Sequence, residues 1–245
     1  MDKNLAIYCV CFPGNEPLKH QQYQHNIMCN AASISSEYRS ELDKKGFVFD
    51  DTGDNISHLN WTLGDLTATY WIWKNSPYDF VGTSQYRRFW DDTVGEIDFC
   101  ENTLYVQKPV ILGKTLKEQY VECHGGLGIS VVEDLSADKK IPLTKDMLDK
   151  TFALDYLHSC NMFIAHKDVY NRFCEVLFDI IFAIYGTYEN EIKKLDSYNR
   201  RMPAFMGERI VTSLIANKAH FFPDLKIVPV EWSLRKKTLI QKLFG

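Results

Sequence analysis

One run of residues narrows the architecture more than any other. Leu5-Ala6-Ile7-Tyr8-Cys9-Val10-Cys11 is hydrophobic without a break and is closed by Pro13-Gly14. A strand with one solvated face alternates polar and apolar residues, whereas a strand covered on both faces does not, and such strands belong to parallel sheets packed between helices. An α/β protein is therefore expected. The 245 residues, 45% hydrophobic and 24% charged, suffice for one large domain and exclude a disordered chain. A net charge of -4 supplies no general basic field, so nucleic acid is not an expected partner. No apolar run approaches the roughly 20 residues of a membrane-spanning helix. Met1-Asp2-Lys3-Asn4 turns polar too early for a secretory leader. The seven cysteines are odd in number and scattered, and Cys9-x-Cys11 has no second pair at zinc-site spacing. Buried free thiols in a reducing cytoplasm are the expectation.

Residues 13–60 are polar and weakly periodic, and read as loops and short helices. Thr62-Leu63-Gly64-Asp65 fits a capping box with Thr62 as the N-cap, and Leu66, Tyr70 and Trp73 follow at helical spacing. Residues 79–84 read as a strand that ends in Gln85-Tyr86-Arg87-Arg88-Phe89-Trp90-Asp91-Asp92. Later strands are expected at 105–112, 161–165 and 225–230. Helices are expected at 115–122, 144–157, 167–184 and 205–216, and a mobile loop at 125–140. With no repeat and no linker, one domain over 1–232 is predicted, followed by a tail over 233–245. That tail mixes Arg235, Lys236, Lys237 and Lys242 with Leu239, Ile240, Leu243 and Phe244, a basic amphipathic pattern that suits an anionic membrane surface or packing on its own domain.

The 85–92 segment holds the most chemistry. Guanidinium forks match phosphate oxygens in pairs, and aromatic faces accept bases or sugar rings. The competing reading is an ion-pair knot of Arg87 and Arg88 with Asp91, Asp92 or Asp65. The run Asp50-Asp51-Thr52-Gly53-Asp54-Asn55-Ile56-Ser57 offers carboxylates to a divalent ion or a ribose, although it lacks the calcium-loop ladder, and a solvated turn reads equally well. Asp65 serves a cap or a ligand. Glu208, inside an apolar helix, is either paired with Arg209 or Arg201 or held as a base in a cleft. Asn161 opens a strand, where it meets a sugar hydroxyl or merely closes the edge. The glycine-rich dinucleotide and phosphate loops, the zinc-protease helix motif and the serine-nucleophile elbow are all missing from the sequence.

Three blocks taken in order resemble a family: Gly53-Asp54-Asn55-Ile56-Ser57, Asp65-Leu66-Thr67-Ala68-x-Tyr70-Trp71-x-Trp73-Lys74-Asn75 and Val81-Gly82-x-x-x-Tyr86-Arg87-Arg88-Phe89. Asn161-Met162-Phe163-Ile164 and Gly207-Glu208-Arg209 extend the match. They resemble the bacterial capsular and exopolysaccharide glycosyltransferases grouped under a domain of unknown function, over roughly residues 5–230. Gln85 stands where that family usually has His, and Asp65 where it usually has Glu.

The resemblance implies a single GT-A-like α/β domain with a mixed, mostly parallel sheet. It also implies transfer of galactose or galactofuranose from a uridine diphosphate donor to a lipid-linked surface polysaccharide. Under it Glu208 is the expected base, with Asp65 and Asp92 as alternatives, and Arg87 and Arg88 stabilise the departing diphosphate in place of a metal. Manganese or magnesium held by the 50–54 acids is the alternative. Asp54, Asn55, Ser57, Gln85, Tyr86 and Asn161 are expected at the donor, and Trp90, Asp92 and His158 at the acceptor. An inverting enzyme without a cofactor is implied, placed in the cytoplasm at the inner face of the membrane. A nucleotide-sugar hydrolase and a non-catalytic carbohydrate-binding module built on Trp71, Trp73, Tyr86 and Trp90 are the competing functions.

Overall fold

Every residue of β1, Leu5–Cys11, is buried, as its unbroken apolar run requires. In the computed structural model, which describes residues 4–235, ten further strands follow: β2 Gln24–Met28, β3 Phe47–Phe49, β4 Phe80–Gln85, β5 Arg88–Trp90, β6 Thr103–Gln107, β7 Val110–Ile111, β8 Tyr156–Leu157, β9 Phe163–His166, β10 Lys226–Val230 and β11 Trp232–Leu234. The main sheet runs β10-β6-β9-β4-β1-β2-β3, with β5 and β11 attached beside β4, while β7 and β8 pair separately. β1 lies parallel to both β2 and β4, β2 to β3, and β10 to β6. Only β9 reverses direction within the seven-strand path, antiparallel to β4 and β6. This is the mixed, mostly parallel α/β sheet expected from the sequence.

The helices are α1 Ser36–Lys44, α2 Asn60–Leu63, α3 Leu66–Asn75, α4 Leu116–His124, α5 Leu127–Ala137, α6 Lys145–Phe152, α7 Lys167–Lys193, α8 Met202–Ala216 and α9 Lys218–Phe221. Side chains of successive strand residues point to opposite faces. Ala6, Tyr8 and Val10 accordingly join the large cluster formed with α3, α5, α7 and α8. Cys9 and Cys11 face the other way, against Leu42 of α1 and Phe47. The two thiols of the Cys-x-Cys pair are thus core groups, and burial pushes the Cys11 thiol well up from its ordinary value. Cys100 and Cys123 depart from the expectation, being exposed.

Several sequence readings change. Residues 13–60 contain β2, α1 and β3: the short strands pair parallel to β1 and to each other through backbone hydrogen bonds, which side-chain composition does not reveal. The loop expected at 125–140 is mostly α5, whose Ile129, Val131, Val132 and Leu135 are buried under charged neighbours. The helix expected to stop at 184 runs on to Lys193. Thr62 lies inside α2 and caps nothing; its hydroxyl donates to the Arg200 carbonyl at 2.7 Å. Asp65 is the residue before α3 and makes no side-chain cap. Gly82 is required by a close crossing: a Cβ there would lie 2.4 Å from Ile164 Cγ1 of β9. The boundary expected at 232 falls inside β11, which pairs antiparallel with β5; the tail from 236 onward lies outside the described residues.

Candidate active site

Open α/β sheets bind ligands beyond the carboxyl ends of their strands. Here the ends of β1 and β4, together with the residues leading into β9, open into a cleft of about 510 Å³. Its charged lining is Asp65, Arg87, Arg88, Arg200, Arg201 and Glu208, with Phe12, Trp61 and Tyr86 as aromatic neighbours.

Asp65 is held in place by a turn that only glycine accommodates. Gly64 has φ 54° and ψ −126°, a conformation closed to residues with a Cβ, and a Cβ there would stand 3.2 Å from an Arg201 guanidinium nitrogen. Asn60 Nδ2 donates to the Gly64 carbonyl at 2.8 Å and to Thr67 Oγ1 at 2.9 Å. The Asp65 carboxylate then accepts from Gln85 Nε2 at 3.0 Å and from Asn161 Nδ2 at 3.2 Å, both on Oδ2. Burial, and then the nearby Glu208 charge, push the Asp65 carboxyl up to about 6. Gln85, standing where a titratable histidine was the family pattern, acts as a neutral donor that bridges Asp65 to the Cys160 carbonyl at 3.2 Å.

Cys160 and Asn161 are consecutive left-handed residues, with φ of 66° and 50°. Neither is glycine, and such residues each cost on the order of 1 kcal/mol and persist where surroundings fix them. Here Glu208 Oε1 accepts the Cys160 N–H at 2.6 Å and Thr83 donates to the Asn161 carbonyl at 2.7 Å. The other Glu208 oxygen pairs with Arg209 at 2.8 Å, and Arg209 is buried. Both Glu208 oxygens are therefore engaged, Oε1 in shaping the loop that aims Asn161 at Asp65 and Oε2 in pairing buried Arg209.

The arginines contrast with this. Among the described residues, none of Arg87, Arg88, Arg200 and Arg201 forms a salt bridge. The proposed knot is absent because its acids are used elsewhere: Asp91 accepts from Thr93, Asp92 pairs with Lys19, and Asp65 is bound by amides. Arg87 lies over Tyr86, Arg200 over Trp61 and Arg201 over Phe205, at 5.5, 5.7 and 5.4 Å from the ring centres. Arg200 Nε is buried and has no hydrogen-bond partner among the described residues. The His124 imidazole registers the field: burial, followed by the Arg209 and Arg201 charges, holds it down at about 4. Unpaired like charges in one concavity repel, and a bound polyanion relieves that repulsion.

The remaining expected residues lie elsewhere. Asp50 is fully buried and accepts from the Asn30 and Ala31 amides at 3.1 Å and from Ser57 and Thr67 hydroxyls at 2.7 Å. Asp51 pairs bidentately with Arg39 at 2.7 and 2.8 Å. Asp54 accepts from Tyr70 at 3.2 Å, and Asn55 bonds within its own turn. This acidic run is thus a structural brace under α3, and Asp54, Asn55 and Ser57 are not part of the cleft lining. Trp90 is corrected from an acceptor platform to a core residue, fully buried with its indole N–H on the Thr83 carbonyl at 2.9 Å. His158 is buried against the Gln107 carbonyl at 3.0 Å, not in the cleft. Arg200 and Arg201 are the residues that the sequence reading missed; two adjacent arginines before Met202-Pro203, at the start of α8, were the available signal. Asp50→Ala strands four donors in the core and should cost about 3 kcal/mol, read as a lowered urea midpoint; a midpoint equal to wild type would refute the brace.

A metal bridge to a diphosphate needs gathered carboxylates, and the strand end Gln85-Tyr86-Arg87-Arg88 offers amide and cations instead. Among the described residues, no group of three or more His, Cys, Asp or Glu is placed to hold a metal ion. The two carboxylates of the cleft, Asp65 and Glu208, are engaged by Gln85, Asn161, the Cys160 amide and Arg209.

Comparisons with known proteins bear on the fold and the family. No curated protein matches the chain. Among solved structures, the WbbM bifunctional glycosyltransferase in its apo form superposes with a TM-score of 0.70 at 19% identity, covering 95% of this chain and 45% of that one. The chain thus spans less than half the length of that protein, and the likeness is one of fold, GT-A-like as the resemblance implied. A family model matches residues 17–219, and on that match the chain belongs to the family described as Domain of unknown function (DUF4422).

Proposed function

We propose that this chain is a glycosyltransferase that moves a sugar from a nucleoside diphosphate donor to an acceptor hydroxyl. The observation that carries the reading is the cleft itself, where four guanidinium groups that form no salt bridge among the described residues and one carboxyl of raised pKa meet at the carboxyl end of the sheet. In the step proposed, Asp65 takes the acceptor proton and the acceptor oxygen bonds to the anomeric carbon. The bond from that carbon to the β-phosphate oxygen breaks, and its electron pair leaves with the diphosphate. Arg87 and Arg88 meet the charge that develops there, with Arg200 and Arg201 adding to the field. A single displacement of this kind inverts the anomeric centre. Glu208, both of whose oxygens are engaged, is here the support of the Cys160–Asn161 turn rather than the base.

The family resemblance supports uridine diphosphate galactose or galactofuranose as donor and a lipid-linked bacterial surface polysaccharide as acceptor. The donor set supports independence from metal. Among the described residues no helix is long and apolar enough to cross a membrane; the basic residues from Arg235 onward support a peripheral site at the inner face of the cytoplasmic membrane.

Thermal denaturation tests this. A ligand at a hundred times its dissociation constant adds about 2.7 kcal/mol, which for a chain of this size raises Tm by roughly 5–10 °C. Uridine diphosphate should produce that rise equally in chelator and in manganese. A rise that requires manganese would refute metal independence, and no rise with any nucleotide would refute the donor class.

A further inference from the structure

β11 lies beyond the stretch matched by the family model, residues 17–219, yet it holds the arginine hairpin. β5 is three residues long and meets β4 at one pair, Gln85 and Arg88. The tip between them has few bonds of its own: Tyr86 N–H donates to the Val10 carbonyl at 3.0 Å, and its carbonyl accepts from Leu18 at 2.8 Å. The free side of β5 is occupied by β11, with Trp232 opposite Trp90, Ser233 opposite Phe89 and Leu234 opposite Arg88. Arg235 N–H donates to the Arg87 carbonyl at 2.8 Å, and Asp91 N–H to the Glu231 carbonyl at 2.9 Å. Bonded and unbonded pairs alternate in an antiparallel ladder, so 87 with 235, 89 with 233 and 91 with 231 are the bonded ones. β11 is itself tethered by the Trp232 indole N–H on the Lys108 carbonyl at 2.9 Å.

We propose that β11 is a positioning strap that fixes Arg87 and Arg88 for a diphosphate, so that residues outside the family-defined region set the site's anion affinity. The physical need is plain. Two neighbouring cations that form no salt bridge among the described residues gain by moving apart, and on the β4 side the hairpin backbone is joined by one pair, its hold resting otherwise on the buried Phe89 and Trp90 side chains. A second ladder bonds the backbone at Arg87 and at Phe89, on either side of Arg88, and the separation is settled before ligand arrives, which is what preorganised charge stabilisation requires. The proposal rests on the diphosphate reading above.

The test uses the full chain and two probes, uridine diphosphate and inorganic pyrophosphate, titrated calorimetrically. Arg235→Pro deletes the N–H that serves Arg87, at a strand end where proline is tolerated; Arg235→Ala removes the charged side chain and keeps that donor. Arg235→Pro should weaken both probes about tenfold and speed amide exchange at Arg88 and Phe89, while Arg235→Ala stays within about threefold of wild type. Trp232→Ala, which keeps every backbone donor and cuts the tether, provides a second variant and should weaken binding in the same direction. In an Arg87→Ala/Arg88→Ala background Arg235→Pro should add nothing, a result that a merely structural strand would not give. Wild-type affinity in Arg235→Pro, or an equal loss in both backgrounds, overturns the strap. Failure of the unaltered chain to bind either probe overturns the diphosphate reading instead.

Discussion

Arg87→Ala combined with Arg88→Ala should lower kcat/KM for glycosyl transfer by more than 10³-fold, since each preorganised donor at a developing oxyanion is worth on the order of 10²-fold. The fold should survive the change. Arg87 is exposed and Arg88 half-buried, and neither closes a salt bridge among the described residues, so their removal strands no carboxylate and relieves repulsion in the cleft. Tm should therefore hold or rise slightly, while transfer is lost and pyrophosphate binding weakens to the measurable remainder that Arg200 and Arg201 supply. Lysine at both positions should recover part of the activity, because it restores charge without the two-pronged geometry that guanidinium offers to phosphate oxygens. Transfer within a few-fold of wild type in the double alanine variant would mean that the leaving group is stabilised elsewhere, with Arg200 and Arg201 as the next residues to change.

Asp65→Asn should lower kcat by on the order of 10²- to 10⁴-fold, the worth of a positioned general base. Two further signatures separate a catalytic carboxylate from a structural one. With its carboxyl raised to about 6 by burial and by Glu208, Asp65 is active as a base only when ionised, so the wild-type rate should climb through pH 6 and level off above it. Stability runs in the opposite direction. The folded carboxyl keeps its proton up to about pH 6, whereas the unfolded one releases it near the ordinary 3.8. Between those limits the native state binds more protons, so its stability is greatest below the unfolded value and declines as pH rises through 6. Asp65→Asn removes that penalty and keeps an acceptor for Gln85 and Asn161, so at pH 7.5 the variant should be more stable by on the order of 1–2 kcal/mol. Glu208→Gln should behave differently. It breaks the charge pair with buried Arg209 and loosens the Cys160–Asn161 turn, so stability and rate should fall together, and with the Glu208 charge gone the midpoint of the pH profile should move below that of wild type. A flat rate between pH 5 and 8 in the wild type, or an unchanged kcat in Asp65→Asn, would remove Asp65 from the mechanism.

The sequence exposed some of this and hid the rest for identifiable reasons. Arg87 and Arg88 were legible because two cations beside aromatics at the end of an apolar strand suit neither a core nor an ordinary surface. Gly82 and Gly64 sit inside motifs, but their purpose is a close contact with Ile164 and with Arg201, which no local pattern records. Asp54 and Trp90 were misread because a carboxylate or an indole has the same local appearance whether it meets a ligand or a neighbouring side chain. Tyr70 meets Asp54, and the Thr83 carbonyl meets Trp90. Arg200 and Arg201 stayed hidden because their relevance depends on α8 being brought against α2 and Asp65.

What the chain determined by itself was the sheet's central strand, the cationic strand end and the α/β class, all of which follow from side-chain periodicity within a few residues. Tertiary structure alone decided which charges are spent and which remain free. Asp50, Asp51 and Asp92 are held by Thr67, Arg39 and Lys19, 12 to 73 positions away, and among the described residues four arginines of the cleft are left without a salt bridge. Pairing across such separations is settled by packing, since burial makes each unpaired polar group costly, and no window of the sequence contains both members of the pair.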